Sequence, residues 1–444
     1  MKAMAVSLAP AVFADRRARL MKLLGARAAL VLASGPERLR NGDTDYKFRQ
    51  DSDVLYLTGF AEAGTTVVLR AGHETPFVMF VRPRDPAAET WTGRRAGVEG
   101  AVRDHGANAA FPAAELDTKL PELLAGVDEV HFPFARESAL DTTISRALAR
   151  LRVAERRGRR APSRLVDARL SVHELRLVKS PDEVAVQRRA AEITAEAHTA
   201  AMRAARPGVG EGEIEALIDY TFRRRGGAGP GYPTIVGGGA NATILHYVEN
   251  SAPLVAGQLL LVDAGCEVDG YTADVTRTFP VGGRFTPPQR RLYEAVLDAQ
   301  LAAIEAVKPG ATIDAIHEQV LVSLTRALVS LGLLAGTRED VPKLVEAGAY
   351  KPFYMHRTSH WLGIDVHDVG FYSEEGAARP LVPGMVLTIE PGLYVSADAE
   401  NVPPEYRGLG VRIEDDLLVT PTGYDNLTRD TPKTVEEIEK LTAT

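Results

Sequence analysis

Residues 259–280 read LLLVDAGCEVDGYTADVTRTFP and place two acidic residues in a segment that is otherwise largely apolar. The apolar start and the Asp-Gly pair at 269–270 predict a β-hairpin that carries Asp263 on one arm and Asp274 on the other. With the turn at that pair, Asp263 faces Thr276, and Asp274 lies diagonal to Asp263 on the same face, about 7–8 Å away or less. Two ionised carboxylates in such a hairpin repel each other unless a cation lies between them. The hairpin is therefore either a metal site or a turn in which one Asp is a cap and the other is solvated.

The chain has 444 residues, which is long for one hydrophobic core and predicts two domains. Its 45% hydrophobic and 25% charged residues are typical of a globular protein that folds in water. The net charge of −7 argues against nucleic acid as a partner. Cys266 is the only cysteine, which excludes disulfides within the chain and predicts a reducing, cytoplasmic location. Since no apolar stretch reaches the roughly 18 residues of a membrane span, no membrane partner is expected.

Residues 1–172 alternate predicted helices with predicted strands, which indicates an α/β domain. The helices are predicted at 12–24, 113–124 and 142–152, and the strands at 28–33, 66–69, 77–81 and 130–132. Residues 40–60 are predicted to form a loop and a strand that present side chains at a surface. Residues 82–95 place Trp91 among four arginines. This segment is either a surface loop with Trp91 packed locally or a contact with another domain or subunit.

Residues 173–444 repeat one order of elements, which predicts a second domain built from two similar halves. Ser180, Pro181 and Glu183 are typical of a helix start, with an N-cap, a first-turn proline and a capping box. Two helices are predicted up to about residue 205 and from 214, and two more at 292–307 and 313–331. Both pairs are separated by a basic residue followed by Pro-Gly, which indicates a duplication. A pseudo-symmetric α+β domain would bind its ligand in the cleft between the halves.

Acidic and imidazole residues fall at strand ends in the second half of the chain. Glu390 ends an apolar strand directly before a Pro-Gly turn, and residues 410–419 predict a strand with Arg412 and Glu414 on one face. This pair is either a surface salt bridge or part of a site. Four histidines lie in glycine-rich or strand-edge contexts, although a single histidine is more often structural: His246, His356, His360 and His367.

Five residues form a candidate ligand set for metal ions: Asp263, Asp274, His360, Glu390 and Glu414. Four carboxylates and one imidazole suit two divalent ions that share bridging carboxylates. Oxygen-rich ligation favours Mn²⁺ or Co²⁺, and Zn²⁺ is also compatible. Two ions about 3.5–4 Å apart would hold a hydroxide, which is the nucleophile for hydrolysis of an amide or ester.

The motifs DAGCEVDGYTADVTRTFP, SHWLGIDVHDVG, TIEPGLY and GVRIEDD, in this order, resemble the proline-specific pita-bread metallopeptidases, Xaa-Pro aminopeptidase (aminopeptidase P) and prolidase. The first domain adds RNGDTDYKFRQDSDVLYLTGF and RPRDPAAETWTGRR, which are similar to the bacterial aminopeptidase P type. The resemblance covers nearly the whole chain. It implies a creatinase-like N-terminal α/β domain over 1–172 and a pita-bread catalytic domain over 173–444.

The resemblance also implies a role for each candidate ligand. Asp263 and Asp274 would bind metal from the first hairpin, with Asp274 and Glu414 bridging two ions. His360 and Glu390 would complete the ligands of one ion, and Glu390 would also handle the proton of the attacking water.

Further residues acquire implied roles around the reaction. His367 would stabilise the developing oxyanion, and His246 would contact the substrate near the scissile bond. His356 and Arg412 would line the substrate side, where Arg412 suits a carboxylate or a backbone carbonyl. Trp91 would lie near an active site across a subunit contact, which predicts a homo-dimer or homo-tetramer.

The implied reaction releases the first residue from peptides with proline in second position. An Xaa-Pro bond is a tertiary amide without an N–H, so peptidases that bind this N–H do not orient it. The main alternative is prolidase, which takes Xaa-Pro dipeptides. A metal-free relative such as creatinase, or a binding module, is disfavoured because all five ligands are present. Methionine aminopeptidase is disfavoured because it needs no such N-terminal domain.

One position departs from the family pattern. Arg357 follows His356 where similar sequences carry a small residue. The larger side chain is expected to narrow the pocket or to pair with an acid, and it affects the preferred length of the substrate.

Overall fold

A computed structural model describes residues 7–158 and 160–443. The chain divides into two compact units. The first is Leu8–Arg176, and the second consists mainly of Leu177–Thr444. The division falls in the helix Arg169–Leu177, as does the boundary expected at 172/173. None of the helices in the described ranges combines the length and the apolar character that a membrane crossing requires.

The N-terminal unit is a mixed α/β domain. Its helices are α1 Pro10–Leu24, α2 Ser52–Thr58, α3 Pro86–Thr92, α4 Gly97–Arg103, α5 Leu116–Leu124, α6 Ser138–Ala154 and α7 Arg169–Leu177. Its strands are β1 Ala28–Ala33, β2 Leu39–Asn41, β3 Thr44–Asp45, β4 Thr66–Arg70, β5 Phe77–Val81, β6 Ala109–Pro112, β7 Glu129–Phe132 and β8 Arg164–Asp167. Six strands form one sheet in the order β6-β5-β4-β1-β7-β8.

The core of this unit follows from its apolar strands. Val31 of β1 and Val130 of β7 are fully buried, and Leu120 and Ile144 pack against them from α5 and α6. The strands predicted at 28–33, 66–69, 77–81 and 130–132 all lie in this sheet. The predicted α/β class is therefore confirmed.

Two local predictions in this unit are wrong. In 40–60 the predicted strand is instead the helix α2, which Asp51 caps by accepting hydrogen bonds from two backbone N–H groups of the first turn. Residues 82–95 contain the helix α3, which Asp85 caps in the same way. Trp91 lies on α3 with 88% of its surface exposed, so the alternative of a surface loop with Trp91 packed locally is wrong. The alternative of a contact with another domain or subunit stays a prediction.

The second unit contains the other helices and strands. Its helices are α8 Pro181–Ala204, α9 Glu211–Arg224, α10 Pro287–Glu305, α11 Ile313–Ser330, α12 Val341–Glu346 and α13 Val435–Thr442. Its strands are β9 Gly229–Pro230, β10 Ile235–Gly238, β11 Leu259–Asp263, β12 Cys266–Val268, β13 Tyr271–Thr272, β14 Thr276–Pro280, β15 Ser373–Glu374, β16 Ala377–Ala378, β17 Val386–Ile389, β18 Gly392–Val395, β19 Leu409–Arg412, β20 Asp415–Thr420 and β21 Gly423–Asn426.

The unit repeats a helix pair followed by small antiparallel sheets, as predicted. The pair α8 and α9 precedes the sheet β10-β11-β14, and the pair α10 and α11 precedes the sheet β17-β20-β21. Ser180 starts α8 through a complete capping box with Glu183. The pseudo-symmetric α+β organisation is therefore confirmed, and it brings β14 of the first half next to β19 of the second.

Candidate metal centre

The first hairpin has the predicted register. Asp263 pairs with Thr276 across β11 and β14, and the turn residues Asp269 and Gly270 both have positive φ, as a tight two-residue hairpin turn requires. Between the turn and the acids the two arms approach closely, because a Cβ on Gly265 would lie 1.7 Å from a backbone oxygen of the opposite arm. A glycine is needed there.

The second half of the unit supplies two more carboxylates. Glu390 directly follows β17, as predicted, before the chain turns into β18. The segment 410–419 is not one continuous strand, since β19 pairs with β18 and β20 pairs with β17. Glu414 lies between these two strands, and its backbone N–H donates to the carbonyl oxygen of Thr276 in the first hairpin. The prediction that Arg412 and Glu414 lie on one face of a single strand is therefore wrong. Both side chains are nevertheless buried.

Three of the candidate ligands have atoms within 4.8 Å of one another: Asp274, His360 and Glu414. The Nε2 atom of His360 lies 3.3 Å from Asp274 Oδ2 and 3.5 Å from Glu390 Oε1. The Nδ1 atom of His360 lies 3.0 Å from the Trp361 carbonyl oxygen, to which it donates. This hydrogen bond fixes the ring and leaves Nε2 directed at the acids, as in metal-binding histidines.

The electrostatics of the cluster indicate that it lacks positive charge. Burial and the nearby carboxylates raise the pKa of Asp274 and Glu414, and they raise the pKa of Glu390 to about 7. Burial alone would lower the pKa of His360, but Asp274 and Glu390 raise it to about 9. Carboxylates that resist ionisation beside one another are stabilised by a multivalent cation.

Two side chains bond the candidate ligands in ways that the sequence did not predict. Arg412 donates to Asp263 Oδ2 at 2.7 Å and also to Thr276 Oγ1 and the Tyr394 hydroxyl. Its guanidinium is therefore bound to a candidate ligand, and its expected contact with substrate stays a prediction. Tyr232 was not predicted, and its hydroxyl lies 2.7 Å from Asp263 Oδ1 and 2.5 Å from Asp274 Oδ1.

The phenol of Tyr232 can donate one proton, so it can satisfy only one of two ionised partners at a time. The hydroxyl oxygen then faces the second carboxylate with its lone pairs. This repulsion is relieved only if that carboxylate is protonated or bound to a cation. The residues present thus fit divalent metal ions, on the geometry and the charge of the donor set. The only sequence signal for Tyr232 is the Gly-Tyr-Pro segment at 231–233.

The cluster lies in the wall of a cavity of about 830 Å³. His246, His356 and His367 line the same cavity, and the rings of His360 and His367 are 4.4 Å apart in an edge-to-face contact. Burial and the charge of Arg412 lower the pKa of His356 to about 3. The neutral ring of His356 bonds the Arg357 carbonyl oxygen through Nδ1 and the Tyr394 hydroxyl through Nε2.

Two further side chains hold the ligand segments and were missed from sequence. Lys179 forms a buried ion pair with Asp368 at 2.9 Å, which anchors the loop next to His367. The buried guanidinium of Arg277 bonds the Glu414 carbonyl oxygen and Asp415 Oδ1. Both contacts join residues more than 130 positions apart, so no local pattern predicts them.

Trp91 belongs to the N-terminal unit. Its side chain is 88% exposed, so it does not stabilise this unit by packing in a core. The expected place of Trp91 near an active site stays a prediction.

The fold and this centre define the class of the chain as a metal-dependent peptidase with a pita-bread catalytic domain. Residues 185–421 match the model of metallopeptidase family M24, and residues 13–131 match the model of the aminopeptidase P N-terminal domain. The predicted fold class is confirmed by these two matches.

The similarity to several aminopeptidases extends over nearly the whole chain. The chain is 45% identical over 431 residues to Xaa-Pro aminopeptidase of Escherichia coli strain K12, with 97% of each chain covered. It is 44% identical over 430 residues to Xaa-Pro aminopeptidase of Haemophilus influenzae, covering 97% of this chain and 96% of that one. The solved structure of Pseudomonas aeruginosa aminopeptidase PepP matches with a TM-score of 0.96 and 44% identity over 99% of both chains. The chain therefore belongs to the aminopeptidase P group of family M24.

Proposed function

We propose that this chain is an Xaa-Pro aminopeptidase that releases the first residue from peptides with proline in second position. The observation that carries the proposal is the cavity in which four carboxylates and His360 converge beside three further histidines. Full-length similarity to Xaa-Pro aminopeptidases supports the choice of substrate class.

We propose Asp263, Asp274, His360, Glu390 and Glu414 as the ligands of two divalent ions, most suitably Mn²⁺, with Co²⁺ or Zn²⁺ as substitutes. Their oxygen-rich donor set and excess negative charge support two ions rather than one. When bound, the ions supply an activated water and polarise the scissile carbonyl.

The other side chains then have distinct tasks. Glu390, which lies beside the other proposed ligands in the cavity, is suited to take a proton from the attacking water and return it to the leaving imino nitrogen. His367 and His246 line the cavity beside the ligands, where they can donate hydrogen bonds to the carbonyl oxygen and the peptide backbone. Neutral His356 and the buried Arg412 shape the wall that receives the proline ring.

We also propose that the protein is cytoplasmic and forms a homo-dimer or homo-tetramer. Its single cysteine, which is buried, suits a reducing compartment. The exposed Trp91 beside an arginine-rich segment supports a subunit contact, since tryptophan and arginine are enriched in interfaces.

The test strips the purified protein with a chelator, restores Mn²⁺, and compares Xaa-Pro-Yaa tripeptides with Xaa-Pro dipeptides. Metal-dependent release of the first residue from the tripeptide is expected. Faster cleavage of the dipeptide would instead make the chain a prolidase. Absence of cleavage with Mn²⁺, Co²⁺ or Zn²⁺ would reject both functions.

A further inference from the structure

Arg357 lies on the wall of the cavity but outside the cluster of ligands. It follows His356, whose Nδ1 atom is 3.5 Å from Glu390 Oε2, so the backbone at Arg357 is directly next to the centre. The side chain of Arg357 is 57% exposed and forms an ion pair with Asp314 of α11, which is 50% exposed. This pairing confirms one of the two expectations for Arg357, and it leaves the guanidinium half-exposed.

The charges along the cavity are unevenly distributed. The acids lie together at the buried end, where Arg412 is already bound to Asp263 and only 4% exposed. Arg357 adds a second guanidinium to the lining of the cavity, and its side chain is open to solvent. A peptide with a positive amino terminus and a negative carboxyl end is therefore favoured in one orientation, with its carboxyl end towards Arg357.

A short peptide extends beyond the scissile bond by more than one residue. Extended chain spans about 3.3–3.6 Å per residue, so the carboxylate of a tripeptide lies about 7 Å beyond a scissile bond held at the centre. Arg357 is one residue from His356, which contacts the centre. A planar guanidinium binds a carboxylate through two parallel N–H groups.

The existing ion pair does not prevent this contact. Both partners are half exposed, and exposed ion pairs contribute little because water screens them. Arg357 can therefore exchange Asp314 for a carboxylate of the substrate at a small cost.

Given the proposed function, we infer that Arg357 is a specificity-determining residue that binds a carboxylate on the peptide beyond the proline. The carboxylate is either the chain terminus of a tripeptide or an acidic side chain in third position.

The experiment measures kcat/KM for Ala-Pro-Ala and its C-terminal amide, and for the amides of Ala-Pro-Asp and Ala-Pro-Asn, on the Mn²⁺-loaded enzyme. A higher rate for the free acid identifies the terminal carboxylate, and a higher rate for Asp over Asn identifies the side chain. We expect at least one of these ratios to be about fivefold, the scale of a partly exposed charge pair. In Arg357→Gln that ratio falls to about one.

Two further variants sharpen the result. Asp314→Asn removes the competing partner and raises the ratio, and a ratio no higher than in the wild type contradicts the exchange of partners. Arg290→Gln removes another exposed, paired arginine from α10 and is the matched control, with the wild-type ratio expected. Equal ratios in the wild type and Arg357→Gln overturn the inference while leaving the peptidase activity established.

Binding of the product Pro-Ala and of its amide, measured by calorimetry, gives a readout that needs no turnover. Tighter binding of the free acid that disappears in Arg357→Gln supports Arg357 as the carboxylate site, even if no peptide is cleaved. Absence of cleavage alone would reject the proposed function and leave this binding result to decide the inference.

Discussion

Each unit of the molecule buries carboxylates beside a histidine and an arginine, but the two clusters differ in charge balance. In the N-terminal unit, Asp53 receives Arg176 at 2.7 Å and His173 at 3.3 Å, and Asp51 has Arg136 at 3.2 Å. Burial alone would raise the pKa of Asp53, but hydrogen bonds and the charges of His173 and Arg176 hold it well below its usual value. Burial and the charge of Asp53 raise the pKa of Asp51.

The metal centre has no such balance. Four carboxylates there face two cationic groups, Arg412 and His360, and the pKa values of Asp274, Glu390 and Glu414 are still all raised. A buried acid that is paired within the chain serves stability, whereas surplus buried acids indicate a ligand that the chain itself does not supply. The comparison thus separates a structural cluster from a binding site by charge balance.

Asp274→Asn should have the largest effect, because it removes a proposed bridging ligand. We expect kcat to fall by at least about 10³-fold and metal content to drop, since the ions both activate water and polarise the carbonyl. The fold should persist, because the change relieves repulsion among buried acids. Metal analysis and peptide kinetics check this. Asp53→Asn is the control and should keep the wild-type metal content per folded molecule; full metal occupancy in Asp274→Asn would refute the ligand assignment.

Arg176→Met should have the next largest effect, in the other cluster. It leaves Asp53 buried without its closest guanidinium, and breaking such a buried pair costs about 3 kcal/mol or more. Urea unfolding at pH 7 measures the loss. Arg189→Met removes an arginine from a pair with the half-exposed Glu192 and should change the free energy of unfolding by less than about 1 kcal/mol. Similar values for both variants would contradict the structural role of Arg176.

Mn²⁺ should stabilise the protein through the metal centre alone. Binding to the folded state adds about 2.7 kcal/mol when the free metal is 100 times its Kd. Thermal unfolding of chelated protein with and without Mn²⁺ should therefore show a higher Tm with metal. The shift should vanish in Asp274→Asn and remain in Arg176→Met, and the reverse pattern would exchange the roles of the two clusters.

Local signals in the sequence accounted for the parts of the fold and site that depend on near neighbours. The capping box at Ser180 and the Asp-Gly turn at 269–270 predicted a helix start and a strand register that the structure confirms. The position of Glu390 at a strand end followed from one apolar run and one turn. In each case the contacts that decide the local structure join residues only a few positions apart in the sequence.

Other features depend on contacts between distant segments and were not predictable from pattern. Lys179 meets Asp368 only after the two halves of the unit pack together, and Tyr232 meets Asp274 within the first half but across 42 positions of the chain. The helix α2 was missed because Val54 and Tyr56 favour a strand by propensity, whereas the cap at Asp51 favours a helix. Glu414 was assigned to a continuous strand because alternation does not reveal where a chain changes its pairing partner.

The smallest predicted effect concerns pH and tests whether Asp53 is a balanced charge. Because its folded-state pKa lies below the unfolded value of about 3.9, its contribution to stability is present above pH 4 and is lost as the pH falls through the folded pKa. Removing Arg176 raises the folded pKa, so the difference in unfolding free energy between the wild type and Arg176→Met should narrow below pH 4, by up to about 1.4 kcal/mol per pH unit. Urea unfolding at pH 7, 4 and 3 measures this. A constant difference over that range would mean that Arg176 stabilises the unit by packing and not by its charge, and the contrast between the two clusters would then depend on the metal centre alone.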